Sequence, residues 1–443
     1  MTQTQSAPPA TVPTAPPPGT TLPAPNARTA GPRGAVAEWF EGTPGRMRAF
    51  LILAAAMSVV FGLAAAQGFS QSDGALDRAQ ANTAQLVRIQ AIHTNLVSAN
   101  ADATNAFLVG GLEPPDQRAH FVNSLAAAAE LIAEAATAQP ADRDVLGALN
   151  KTLITYGGLI EQARANNRQG LPIGSQYLKD ANSVLQDDSL PLVKALVEAN
   201  EKRVDTEFDG ISRGTIWVLV GGLLSLVVFA ITLRWLARRT HRYLNAPIAA
   251  GAALVLLTTV IGGVSLAGAS NSAKDTRSSE YDRTLALSRA RIAAYDARSN
   301  ESLTLIARGS GDAFDKAYTA AAAQVDEQLG KASGTTGGLQ QSWSVYKGVH
   351  SKVREADTAG KWDDAVKMAV GGPEAGSNDS AQAFKTFDTS SSAQLTSSSD
   401  AVSSELKDAR DGLPPIGWLG VPIGILAALL VAWGMSQRLE EYR

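Results

Sequence analysis

The sequence predicts an all-α fold: four transmembrane helices carrying two duplicated extracytoplasmic four-helix bundles. Three observations predict it. Four intervals lack any charged side chain and are long enough to cross a bilayer; apolar residues between them recur by threes and fours; and residues of one intervening segment reappear in the other at a near-constant shift. A helix crosses a hydrocarbon core with about 20 apolar residues, and the charge-free intervals run from Ala49 to Ser72, Gly214 to Leu233, Tyr243 to Ala273 and Gly412 to Gln437. Buried helices of soluble proteins rarely stay uncharged for so long.

Taken from the N terminus, residues 1–45 are rich in Pro, Ala and Thr, with PATVPTAPPPGTTLPAPN at their centre, and are expected to form a disordered cytoplasmic tail because they have too little apolar surface to fold. Its threonines act either as a plain spacer or as phosphoacceptors. The first span is expected at 49–69. Ala64 to Ala66 also suit a signal-peptide cleavage site, but the 48 residues before the span are far more than a basic leader holds. A first bundle is expected over 70–212, with Ile89, Ile92, Leu96, Ala99, Ala103 and Phe107 as the seam of its opening helix. The second span (214–233), a basic loop (234–245) and the third span (246–268) follow. The second bundle is expected over 269–412, its seam formed by Leu285, Ile292, Ser299, Leu303 and Ile306, and the fourth span (416–435) leads to a short tail, 436–443.

Cytoplasmic flanks of membrane helices collect Lys and Arg. Arg46 and Arg48 precede the first span, Arg234, Arg238, Arg239 and Arg242 join the second to the third, and Arg438 follows the fourth. One orientation satisfies them all: both termini and the middle loop inside, both long segments outside. Arg213 is the mild exception, tolerable if its head snorkels to the interface.

Duplication is read from two shifts. A shift of 190 pairs Gly147, Leu149, Tyr156, Gly158, Arg164 and Gly170 with Gly337, Leu339, Tyr346, Gly348, Arg354 and Gly360. A shift of 196 pairs Leu96 with Ile292 and Phe107 with Leu303. The copies are expected to differ at the last helix. No proline interrupts Leu192 to Leu233, so one helix is expected to run from bundle into bilayer, whereas Pro414 and Pro415 break the path in the second copy.

Composition excludes several functions. The net charge of -3 offers no global field for nucleic acid, and with no cysteine there is no disulfide framework, thiolate metal site or Cys nucleophile. The histidines, His93, His120, His241 and His350, lack metal-ligand spacing, and no GxSxG, P-loop or kinase signature occurs. No catalytic residue, metal or cofactor is therefore expected.

The suggestive residues are polar groups near the bundle seams. YDARSNESLTLIARG places Asp296, Arg298, Asn300 and Glu301 in an otherwise apolar helix, and buried polar groups need partners that a ligand can supply. Tyr156 shares a helix face with Arg164, as Tyr346 does with His350 and Arg354. An arginine grips a carboxylate through paired hydrogen bonds, which makes Arg164 and Arg354 candidates for an acidic ligand. The ordinary alternative for all of these is bonding within the bundle.

This layout, with the duplication and the YDARSNESLTLIARG stretch, resembles the actinobacterial GlnX-type sensor proteins, and the bundles are similar to the four-helix sensor domains of chemoreceptors. The resemblance implies a membrane relay without catalytic activity. A solute-binding lipoprotein loaded with an amino acid docks outside, or the amino acid binds directly, and a cytoplasmic Ser/Thr protein kinase receives the signal. No HAMP-like segment or long cytoplasmic coiled coil is present to signal unaided. A homo-oligomer is compatible with this layout. The competing readings are a cell-envelope scaffold, an accessory subunit of a transporter, or a transporter itself, the last opposed by the near absence of charge within four spans.

Overall fold

The computed structural model describes residues 42–109, 113–240, 245–332, 337–371 and 378–440. The tail up to residue 41, together with His241 and Arg242 of the basic loop, lies outside the described residues. Every regular element among the described residues is helical. Four helical stretches are long and apolar enough to cross a membrane: Gly42–Val109, Ile173–Arg239, Ala246–Ile306 and Ser380–Glu440.

The first half comprises α1 (Gly42–Val109), α2 (Pro115–Ala138), a single 3-10 turn (Pro140–Asp142), α3 (Arg143–Arg168), α4 (Ile173–Ser183), a π-helical segment (Val184–Ser189), α5 (Leu190–Ile211) and α6 (Arg213–Thr240). The second half follows a similar helix order, with its π segment in the opening helix: α7 (Ala246–Thr276), a π segment (Arg277–Tyr281), α8 (Asp282–Ile306), α9 (Asp312–Lys331), α10 (Gly337–Thr358), α11 (Trp362–Val370), α12 (Ser380–Asp411) and α13 (Ile416–Glu440). Capping is local and legible. Asn245 accepts from the Ile248 amide at the start of α7, and Asp379 from the Gln382 amide at the start of α12.

The proline contrast between the halves has a structural counterpart. Between α5 and α6 only Ser212 departs from helix, and its backbone remains right-handed helical. Between α12 and α13 residues 412–415, which include Pro414 and Pro415, leave the regular helix. The two prolines cannot donate to the preceding turn, and the helix stops before them.

The four spans pack through small residues. Met47, Leu236, Ile248 and Met435 are buried together at one end, where the Phe50 and Trp235 rings lie 5.0 Å apart and Asn245 donates to the Gly434 carbonyl at 2.8 Å. Arg46, Arg48, Arg234, Arg238, Arg239 and Arg438 therefore gather at the same end of the span bundle. Outward-facing Leu63, Leu223, Val264 and Trp418 are more than half exposed, as lipid-facing side chains would be. α1 and α13 approach so closely that a Cβ on Gly424 would stand 2.6 Å from the Ser58 carbonyl oxygen and 2.8 Å from the Gly62 Cα. Such contacts substitute for the hydrophobic effect where lipid is as apolar as the helices.

The two bundles are not separate heads. α1 and α8 lie side by side, so that Val97 and Ala101 of α1 belong to the core of the second bundle. Asn100 donates to Ser299 Oγ at 2.8 Å, and Ser288 donates to Gln90 Oε1 at 3.2 Å. Near the spans Arg410 pairs with Asp73 and Asp77, and Arg277 with Asp205. This corrects the expected seam of the second bundle. Its own core takes the small stripe Ala286, Ala290, Ala293 and Ala297, filled by Trp343, Tyr346 and Phe387, while Ser299 turns to the first bundle and Ile306 packs against both. A helix buried on almost every side offers no single apolar stripe, and the larger side chains gave the wrong face. The first seam stands as expected, with Ile89, Ile92, Leu96, Ala99 and Ala103 in the first core and Phe107 packed against it.

Candidate functional site

Most of the candidate charges are held by the chain itself. In the second bundle α8 carries Arg298 and Glu301, both buried, one helical turn apart. Arg298 pairs with Glu301, donates to Ser380 Oγ at 2.8 Å and to the Ala369 carbonyl at 2.7 Å. The other Glu301 oxygen meets His350 Nδ1 at 2.7 Å, and the His350 ring stacks on Tyr318. Four helices, α8, α10, α11 and α12, thus meet at one buried ion cluster. Burial alone would push the Glu301 carboxyl up, but Arg298, His350 and Ser380 outweigh it and hold it below its ordinary range. The cluster's stabilisation is therefore present above the ordinary glutamate value of 4.5 and is lost as pH falls through the depressed value. Tyr346 is wholly buried beside Arg298, and burial drives its hydroxyl far from ionisation.

Arg354 lies toward the far tip, paired with Asp315 at 2.8 Å and with Asp357. It lines an open cavity of about 740 Å³ whose wall includes Arg308, stacked over the Trp362 ring at 3.9 Å. In the first bundle Tyr156, Ile160 and Arg164 do share one buried face. Arg164 pairs with Glu113 at 2.8 Å and Glu161 at 3.1 Å, and its guanidinium covers the Phe121 ring at 4.1 Å. Tyr156 donates to Asn100 Oδ1 at 3.2 Å, which connects this face to the α1–α8 seam. Asn300 donates back to the Asp296 carbonyl within its own helix at 2.8 Å.

Asp296 differs from all of these. Its carboxylate makes no hydrogen bond or ion pair with any described residue, and burial alone raises its pKa to about 7. Folding thus favours the protonated form. The carboxyl costs nothing at pH below its ordinary 3.8, and an increasing amount as pH rises toward 7. A second group of this kind is His93 on α1. Its Nε2 is sealed from solvent without a partner, and burial lowers the ring's pKa to about 4, so the imidazole is neutral at pH 7.

Sequence reasoning passed over His93 because it has no metal-ligand spacing, and over the His120–Asp102 contact of 2.6 Å because it joins two helices across a loop. Hydrogen bonding to Asp102 raises the His120 pKa. Ser380 and Glu113, which complete the two arginine sites, sit at or just before the start of a helix, where no periodicity marks them. No group of acidic and histidine side chains suited to a metal ion occurs among the described residues.

No curated protein and no solved structure matches the chain. Residues 75–209, nearly the whole first bundle, match the family model described as Actinobacterial sensor domain, and that match favours a role without catalysis. It spans the helices that carry Asn100, Tyr156 and Arg164, and together with four membrane-competent helices it supports a multi-pass membrane protein of actinobacterial sensor type.

Proposed function

We propose that the chain is a non-catalytic transmembrane relay: its two bundles face the exterior, detect an amino acid directly or through a solute-binding lipoprotein, and pass the signal to a cytoplasmic Ser/Thr protein kinase. The observation that carries this reading is the helix Ile173–Arg239, which runs from the first bundle, across the apolar span, to the arginines at the basic end. A displacement of α5 is thereby a displacement of Arg234, Arg238 and Arg239, with no hinge between them other than Ser212. The interlocked α1 and α8 make the two bundles one mechanical unit, in which a ligand shifts an equilibrium by its difference in affinity between two packings. The similar helix order of the two halves is consistent with a duplicated ancestor.

The test is co-purification of the intact protein from membranes with and without added amino acid. A solute-binding lipoprotein and a Ser/Thr kinase are expected to co-purify, the kinase in an amount that changes with the amino acid. Association with neither partner in either condition contradicts the relay.

A further inference from the structure

We propose that the cavity at the end of the first bundle farthest from the spans binds a small organic carboxylate with an apolar body. The proposal concerns this bundle alone and stands whether or not an amino acid drives the relay. The cavity encloses about 260 Å³ between α1, α2, α3 and α4. Drug-sized ligands fill about 300 to 1,000 Å³, so a smaller solute is the fitting occupant.

The wall has two chemistries. Ala103 and Phe107 of α1, Ile160 and Ala163 of α3 and Leu178 of α4 supply apolar surface, and all but Phe107 are buried. This part is held rigidly: a Cβ on Gly174 would stand 3.0 Å from the Ala163 carbonyl oxygen, so α4 lies directly on α3, and Leu178 follows one turn later. The other part is charged. Arg118, Arg164 and Arg168 line the cavity against one carboxylate, Glu113. Arg164, only 9% exposed, pairs with Glu113 at 2.8 Å and covers the Phe121 ring, and its Nε has no acceptor. Glu161 is shared, at 3.1 Å from Arg164 and 2.8 Å from Arg118. Three arginines thus divide two carboxylates. Arg168, in the last turn of α3 and one turn beyond Arg164, is the cation left over, with no carboxylate among the described residues.

A carboxylate that enters body first leaves its oxygens at this rim. Arg168 offers it a planar set of donors without breaking any ion pair, and Arg118 offers a second at the expense of a surface pair that contributes little. Arg164 stays tied to Glu113 and fixes the base of the rim. An ammonium group finds no seat, because the acid in the wall is already committed to Arg164. The corresponding end of the second bundle is built differently. In its cavity the acids, Asp312, Asp357, Asp363 and Asp364, outnumber the bases, and Trp362, the large apolar side chain of that wall, lies under Arg308. An apolar anion is repelled there and has no floor to cover, so the specificity belongs to the first bundle.

The experiment uses the full chain in lipid nanodiscs and follows the ¹⁹F signal of 4-fluorobenzoate, with empty nanodiscs as the blank. Saturable broadening is expected. It is expected to be reversed by 4-methylpentanoate, but not by the same concentration of acetate, which lacks the body, or of 4-methylpentanamide, which lacks the charge. L-leucine, which adds an ammonium to the same body, is expected to compete about tenfold or more weakly than 4-methylpentanoate. Arg168→Gln is expected to weaken binding about tenfold or more, the loss of one charge-assisted contact. Lys361→Gln, an exposed cation at the cavity of the second bundle, is expected to leave it unchanged. Both substituted side chains are exposed, and unchanged thermal unfolding checks that neither variant has lost its fold. No saturable change with the parent protein, equal competition by the amide or by L-leucine, or undiminished affinity in Arg168→Gln overturns the proposal. A loss in Lys361→Gln as large as in Arg168→Gln also overturns it, because the anion would not then belong to the first bundle.

Discussion

Replacing Glu301 by glutamine is expected to destabilise the second bundle by about 3–5 kcal/mol, the cost of leaving a buried charge without its counter-ion. Glu301 is fully buried and Arg298 nearly so, and all the negative charge in their cluster sits on Glu301. Glutamine keeps the shape but leaves the guanidinium un-neutralised and cannot accept from Arg298, Ser380 and His350 as the carboxylate does. The measurement is thermal unfolding of the full chain followed by circular dichroism. The double variant Arg298→Met/Glu301→Leu should recover part of the loss, because removing both charges removes the desolvation cost as well. If Glu301→Gln melts with the parent, the cluster is not the anchor described here.

Gly424→Val is the second large effect, expected to lower stability by at least about 1–3 kcal/mol through overpacking. Its Cβ would stand within van der Waals contact of backbone atoms of Ser58 and Gly62, which no side-chain rotation can relieve. α13 must therefore withdraw from α1 along the length of their contact. The check is the melting temperature of the protein in mild detergent. Gly268→Val serves as the control, since its Cβ position is open and only a small change is expected. Equal melting for both variants would mean that α1 and α13 do not pack as described.

Much of the fold was legible in the sequence because a bilayer imposes blunt rules. Charge-free runs marked the spans, Pro414 and Pro415 marked the break, and three-and-four spacing marked the Ile89 to Phe107 seam. The pairing of bundles was not legible. α8 is small or apolar around most of its circumference, so periodicity could not say whether Ser299 faced its own core or α1. The site divides in the same way. That Tyr156 and Arg164 share a face follows from helical spacing, but the carboxylates that occupy Arg164 and Arg354, Glu113 and Asp315, come from other segments whose approach depends on loop geometry. Asp296 was singled out in sequence together with Arg298 and Glu301. Only the structure separates the carboxyl without a partner from the pair that satisfies itself.

The central claim is that both bundles face the exterior while the arginine end faces the cell interior. Because the chain has no native cysteine, single substitutions report side directly: Ile154→Cys on α3 and Val345→Cys on α10, both exposed, and Gln437→Cys at the arginine end. In sealed spheroplasts a membrane-impermeant maleimide is expected to label positions 154 and 345 at once, and position 437 only after the membrane is permeabilised. Protection of either bundle position in sealed cells, or labelling of position 437 without permeabilisation, contradicts the account.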